Sequence, residues 1–439
     1  MNRSLAQDLL LFFVFGMALR VWAVLQAHDV GLYLDEVDYY RRASFILENG
    51  HLPDAFRPPV YPLFIAMVRV FADSVDAVRL AQAGLGALTA CVLVAWLTPT
   101  LGTRAARLGG ALACLYPAWV GFPHLLLSET LFLTLFALAL AAAWAPGEHR
   151  SRQAALAGFT FGLAWLTRSA LGPCLPVVLL GSLVRVQEWH WRTRPWFRAA
   201  LFVLGVAVVV TPWAAHNRVV QGRWILVEMT SGYNLWKGNT SVEHAYRTEG
   251  PKLPGPLWSI PMFAYEGSAD QLNTLCADRL GVPADAMSFE QVSDCAGELA
   301  REHILADPIG FLDRGLDKLA LSFHPSNELT RYLWLGWYGN VSPSRGLALH
   351  YGSAVAYGIL LVLAAVGLVR SRWTPLEAGL VALVLVQMAV IFVSFGNVRF
   401  RMPIELILMV LAALAVRPRP LPGSPRGAAV QRGREPLSR

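Results

Sequence analysis

The chain has 439 residues, of which 55% are hydrophobic and only 15% charged, where an ordinary soluble domain carries roughly 25% charged residues. That balance excludes a string of soluble domains and makes lipid the main solvent, as does a mean hydropathy of +0.45. The net charge of +7 would suit nucleic acid, but the basic residues fall mostly in short loops between apolar segments, where they act as orientation signals, so no nucleic-acid partner is expected.

A membrane span needs ~20 mostly apolar residues. Ten such segments are expected, at 9–25, 76–97, 104–122, 126–144, 153–168, 170–187, 197–213, 352–370, 375–394 and 402–416. The fold class is therefore an all-α polytopic membrane protein of about ten transmembrane helices. No small-residue cleavage site follows 9–25, which reads as a retained first span rather than a leader. With the N-terminus in the cytoplasm, every inside loop carries arginine: Arg104 and Arg107; Arg150 and Arg152; Arg185, Arg192, Arg194 and Arg198; Arg370 and Arg372; and the tail from Arg417. The outside parts are then 26–75, the turns near 123–129 and 168, the long loop 214–351, and 395–401.

The expected organisation is an N-terminal transmembrane catalytic module (1–213, with outer loop 26–75), an extracytoplasmic loop domain (214–351), C-terminal spans (352–416) and a disordered basic cytoplasmic tail (417–439). Segment 57–72 is apolar but short and opens with Pro58, Pro59 and Pro62; it reads as an interfacial helix at the outer surface. The long loop is mostly helical in pattern. One short helix is expected near 269–280, and Ser288 with Gln291 makes a capping box for a second that Asp307-Pro308 ends. Cys276 and Cys295 would bridge these two helices in an oxidising compartment, or stay as free thiols. Cys91, Cys114 and Cys174 lie in apolar segments, and no cysteine–histidine spacing suits zinc.

Several polar groups stand out at the outer boundary. Asp35-Glu36, with Asp38, lies among aromatics just past the first span. Such a carboxylate can act as a general base, or simply complement a helix N-terminus. Arg57, Arg168, Arg399 and Arg401 run against the positive-inside bias. Their forks match phosphate oxygens, although each could also snorkel to headgroups. Glu129 opens a span, and Arg20 lies within one, where pairing with an outer carboxylate is conceivable; ionisable groups there are functional candidates. In 232–240, Tyr233 and Trp236 could stack on a sugar and Asn234 or Asn239 bond its hydroxyls, or the stretch is a turn-rich interfacial loop. Asn239 and Asn340 also fit a glycosylation acceptor pattern that is common by chance.

Taken in order, the acidic pair, Arg57-Pro-Pro-Val-Tyr-Pro, Ser128-Glu-Thr-Leu-Phe, Gly162-Leu-Ala-Trp-Leu-Thr-Arg, Gly232-Tyr-Asn-Leu-Trp-Lys-Gly-Asn and Arg399-Phe-Arg-Met-Pro resemble the C-type glycosyltransferases. The similarity is to the bacterial family 39 branch, with the protein mannosyltransferases and lipid A aminoarabinose transferases, over roughly 1–416. It implies an inverting transfer of a sugar from a polyprenyl-phosphate carrier, undecaprenyl phosphate in bacteria, to a lipid, glycan or protein acceptor outside the bacterial inner membrane. It implies Asp35 as base, Glu36 and Glu129 as the further acidic catalytic positions, and Arg57 and Arg168 at the carrier phosphate; Arg399, Arg401 and Tyr61 are expected there as well. Tyr39, Tyr233, Asn234, Trp236, Lys237 and Asn239 are expected at the sugar or acceptor. A flippase of lipid-linked sugars and a surface-glycan polymerase or ligase are the alternatives. The aminoarabinose transferase pattern has an acidic, metal-contacting residue where this chain has Phe56, so a divalent metal is doubtful and no cofactor is assigned.

Overall fold

The computed structural model describes residues 3–26, 30–147, 151–240, 266–325 and 341–417. Asn340 and the tail beyond Arg417 lie outside them, as do the expectations attached to both. Among the described residues the elements are α-helices and short 3-10 turns, with one isolated β-bridge. In chain order the helices are α1 (Arg3–Leu25), α2 (Asp35–Asn49), α3 (Val60–Phe71), α4 (Val75–Leu101), α5 (Thr103–Leu115), α6 (Pro117–Gly121), α7 (Glu129–Ala143), α8 (Ser151–Trp165), α9 (Leu175–Leu183), α10 (Pro195–Val220), α11 (Ser231–Asn239), α12 (Glu266–Leu280), α13 (Phe289–Ala306), α14 (Pro308–Ser322), α15 (Pro343–Val369), α16 (Pro375–Val393) and α17 (Met402–Ala413).

Each expected span falls on helix. Among the described residues, five helices are long and apolar enough to cross a bilayer: α1, α4, α10, α15 and α16. The other segments are shorter; the 15 residues of α7 rise only about 22 Å, less than the ~30 Å hydrocarbon core. Apolar side chains face outward along the long helices, such as Leu10, Val14 and Trp22 on α1 and Val203, Leu204 and Val208 on α10. In water these faces would be a liability; against lipid they are the stable arrangement.

The buried helices approach closely because small residues line their seams. On α8, a Cβ at Gly158 would stand 1.9 Å from the Phe202 carbonyl oxygen, and one at Gly205 of α10 would stand 2.3 Å from that of Ala155. Only glycine lets these backbones meet. Arg20 is 0% exposed, and its guanidinium donates to the carbonyls of Gly16 (3.0 Å) and Ala113 (2.8 Å). It therefore binds α1 to α5 through backbone dipoles, and the carboxylate partner considered for it is not observed.

At one end of the bundle, α2 and α3 pack as a hairpin. Arg69 of α3 donates to Ser44 (2.7 Å) and lies 4.1 Å over the Tyr40 ring. Beyond them α11, α12 and α13 form a second, small apolar cluster around Trp236, Leu272, Val292 and Ala296. The capping box of Ser288 and Gln291 starts α13, and Asp307 caps α14 by accepting from Gly310 (2.9 Å). Cys276 and Cys295 form a disulfide that joins α12 to α13.

Replacing Cys276 by Ser should destabilise this second cluster by about 2–4 kcal/mol. Limited proteolysis should then cut faster between 266 and 306, as it should in the reduced wild-type protein. An unchanged cleavage rate contradicts a stabilising bridge.

Candidate active site

The site lies where the N-terminus of α2, the segment before α3, the start of α7, the turn after α8 and the 3-10 turn before α17 converge. Asp35 opens α2. Leu34 before it holds φ 44°, ψ −111°, a costly conformation for a side-chain residue. Local bonds hold this entry: the Tyr33 amide donates to Glu36 Oε2 (3.1 Å), and the Glu36 amide donates to the Tyr33 carbonyl (2.9 Å).

Asp35 is the centre of the cluster. Its Oδ1 accepts from Arg57 Nη2 at 2.6 Å and its Oδ2 from Arg399 Nη1 at 3.0 Å. Arg57 is anchored separately through Nε to Asp38 (2.9 Å), and Asp38 passes the chain on to Arg42 (3.0 Å) and thence to Asp54 (2.7 Å). Arg399 is anchored through Nε to Glu129 Oε1, which also accepts from Arg168. Glu129 is 1% exposed and Asp35 36%. Burial pushes the Asp35 carboxyl up, but the guanidiniums of Arg57 and Arg399 outweigh it and hold the group well below the usual carboxylate range. Aromatic faces support the cations: Arg57 lies 5.2 Å over Tyr39 and 5.0 Å over Phe56, and Arg168 lies 5.6 Å over Phe400.

Three of the four expected arginines thus join this cluster: Arg57 at Asp35, Arg168 at Glu129 and Arg399 at both. Arg401 does not. Residues two apart on a helical turn do not share a face, and Arg401 points into the bundle. It donates to Glu405 (2.8 Å) and the His324 carbonyl and lies 3.9 Å over Tyr357. Glu405 also accepts from Tyr116 (2.8 Å) and Trp119 (3.1 Å). Tyr61, expected at the phosphate, is 0% exposed and donates to Gln82 (2.9 Å).

Glu36 is also turned from the cluster. It is 1% exposed, and its Oε1 accepts the Leu126 amide (2.8 Å) while its Oε2 takes the Tyr33 amide (3.1 Å). Burial pushes its carboxyl up against the pull of those amides. Its place is to tie α2 to the turn before α7. Gln82 does the same from α4, donating to the carbonyls of Pro123 (3.0 Å) and Leu125 (2.8 Å), and Arg79 donates to that of His124 (2.9 Å). Neither Gln82 nor Arg79 was expected. Their signal was two polar groups three apart at the end of an otherwise apolar span.

The sugar-site candidates divide. Tyr39 lies at the cluster beneath Arg57, whereas the 232–240 stretch braces the α11–α14 layer. Trp236 is 2% exposed in its core, and Tyr233 packs 6.1 Å from Phe289. Asn234 donates to Thr230 (3.3 Å), and Lys237 lies 4.7 Å over Phe395. Asn239 is 0% exposed, donates to the Val393 carbonyl (2.8 Å) and accepts from Lys318 (3.0 Å), a position closed to glycosylation. The donor set does not suit a divalent metal. Phe56 offers only its ring, Asp35 already has two cationic partners, and no group of three metal-ligating side chains occurs among the described residues.

Residues 56–215, a little over a third of the chain, match the family model of the dolichyl-phosphate-mannose-protein mannosyltransferases. Over that stretch the chain resembles the C-type membrane glycosyltransferases. The matched stretch includes Arg57, Glu129 and Arg168 from the cluster. A structure of the Archaeoglobus fulgidus oligosaccharyltransferase tethered to an acceptor peptide is 13% identical and superposes with a TM-score of 0.51, over 94% of this chain and 49% of that one. The chain therefore spans about half the length of that protein, and the likeness is one of fold. ArnT from Cupriavidus metallidurans bound to undecaprenyl phosphate is 17% identical, with a TM-score of 0.42 over 93% of this chain and 77% of that one. Comparison with curated protein sequences finds no match. The family match, over 56–215, and the likeness of fold both fall among glycosyltransferases.

Replacing Arg401 alone by Met should cost about 3–5 kcal/mol, because it leaves the Glu405 charge buried without its partner. Thermal unfolding in detergent should show Arg401→Met less stable than the double variant with Glu405→Met. A single variant as stable as wild type would remove the bundle-bracing role of Arg401.

Proposed function

We propose that the protein transfers a sugar from a polyprenyl-phosphate carrier, undecaprenyl phosphate in a bacterial setting, to an acceptor at the outer face of the cytoplasmic membrane. The observation that carries this reading is Asp35 held between Arg57 and Arg399 at 2.6 and 3.0 Å, with Arg168 and Glu129 adjoining. Three guanidiniums at one end of an apolar bundle suit a phosphate presented at the membrane surface. The lipid-phosphate sugar in the family's description is chemically such a donor.

The reaction follows from the charges. Arg57, Arg399 and Arg168 bind the carrier phosphodiester. The acceptor hydroxyl or amine attacks the anomeric carbon from the face opposite the phosphate. The new bond forms as the bond from that carbon to the phosphate oxygen breaks, which inverts the configuration. The bonding electron pair leaves on the phosphate, whose second negative charge is stabilised by the fixed guanidiniums without a proton. The acceptor proton passes to Asp35. Tyr39, whose ring lies beneath Arg57, backs the site on the side of the sugar. Glu36 and Gln82 hold the geometry in place. The positive-inside arrangement of the loop arginines supports cytoplasmic termini and an outward site. The charges gather at one end of the bundle rather than along a path through it, which favours transfer over transport.

Replacing Asp35 by Asn should lower transfer by about 100-fold or more, while the variant still retains the carrier lipid. Turnover is read as carrier phosphate released from a polyprenyl-phosphate sugar. Wild-type turnover in the Asn variant would end the assignment of Asp35 as base.

A further inference from the structure

The two carboxylates of the cluster are unequally placed. Among the described residues, each arginine at Asp35 carries an ion-paired anchor through Nε and lends a terminal nitrogen to Asp35 that can be given up. Arg57 is fixed through Nε by Asp38 and lends Nη2 to Asp35; Arg399 is fixed through Nε by Glu129 and lends Nη1 to Asp35. Glu129 is 1% exposed, accepts Arg399 and Arg168 on Oε1, and leaves Oε2 without a partner among the described residues. Asp35 is 36% exposed and spends one oxygen on each lent nitrogen. A carboxylate in that position imitates two oxygens of a phosphate.

We propose that Asp35 is a stand-in for the carrier phosphate: the phosphate displaces it from Arg57 Nη2 and Arg399 Nη1, and this exchange frees Asp35 to act on the acceptor, while Glu129 stays as the fixed counter-ion that positions Arg168 and Arg399. The inference rests on the glycosyl-transfer reading above and adds an order to it. Before the donor arrives, the base is ion-paired and proton uptake by it is unfavourable. Once the phosphate takes over both cations, Asp35 loses the two partners that suppress its basicity, and it does so beside the bond that is to break. The acceptor is therefore deprotonated only when a donor is in place. Asp38 and Glu129 keep the arginines in register through the exchange.

The test uses the whole protein in nanodiscs and a short-chain polyprenyl phosphate as probe. Asp35→Asn removes the competing charge, so it should bind the probe several-fold more tightly than wild type, while binding of the uncharged polyprenol stays the same in both. In wild type, the probe should increase carbodiimide labelling of Asp35, read by peptide mass spectrometry, and leave Glu129 unlabelled. Equal or weaker probe binding by Asp35→Asn overturns the exchange, as does protection of Asp35 by the probe. If either result is found while wild type still releases carrier phosphate from a donor sugar, the exchange fails and the transfer reading stands. If wild type neither binds the probe nor turns over donors, both fall.

Discussion

An ionised group at the edge of hydrocarbon must find a partner, and that requirement organises one end of this molecule. Removing a guanidinium or a carboxylate from water costs several kcal/mol unless opposite charge or well-aimed dipoles replace the solvent. Here the chain Asp54–Arg42–Asp38–Arg57–Asp35–Arg399–Glu129–Arg168 supplies that replacement, drawing on five separate stretches of sequence. No stretch could hold its charge there alone. The loops that meet at this end are therefore joined by electrostatics as much as by packing.

The backbone beneath the cluster is secured by a second set of polar groups that face it rather than the arginines of the cluster. Glu36, Gln82 and Arg79 occupy the amides and carbonyls of the turn before α7, so Glu129 is presented from a fixed point. On the other side, Lys318 and Asn239 bind the α11–α14 layer to the end of α16, next to the turn that carries Arg399. Arg401 and Glu405 lock α17 into the bundle two residues further on. Preorganisation of this kind suits an electrostatic catalyst, whose benefit depends on charges that need not reorganise during the reaction.

Much of this was legible in the sequence, and the failures have a common cause. Asp35, Arg57, Glu129, Arg168 and Arg399 each stand at a span boundary where hydropathy and charge bias make an ionisable residue conspicuous. Topology alone put all five on one side. The all-helical character and the pairing of Cys276 with Cys295 were likewise open to local pattern and compartment logic. The sequence could not say which way a side chain turns once its helix is packed. Arg401 lies two residues from Arg399 and faces the opposite way. Glu36 follows Asp35 and faces backbone amides. Asn239 and Trp236 carry the residue types of a sugar site and instead fill a helix interface. Span length was also blurred, since apolar composition continues through turns that break α7 and α9 into short helices.

The central claim is that the arginine–carboxylate cluster holds a lipid-linked sugar while its phosphate departs. The most direct measurement incubates the purified protein with a panel of labelled polyprenyl-phosphate sugars and an extract of membrane acceptors, and separates free carrier phosphate from donor. The account predicts release of carrier phosphate matched by label in an acceptor, for at least one sugar, and loss of both when Arg57 and Arg399 are replaced together. Movement of intact donor across the bilayer with no release, or release that survives the loss of both arginines, would contradict it.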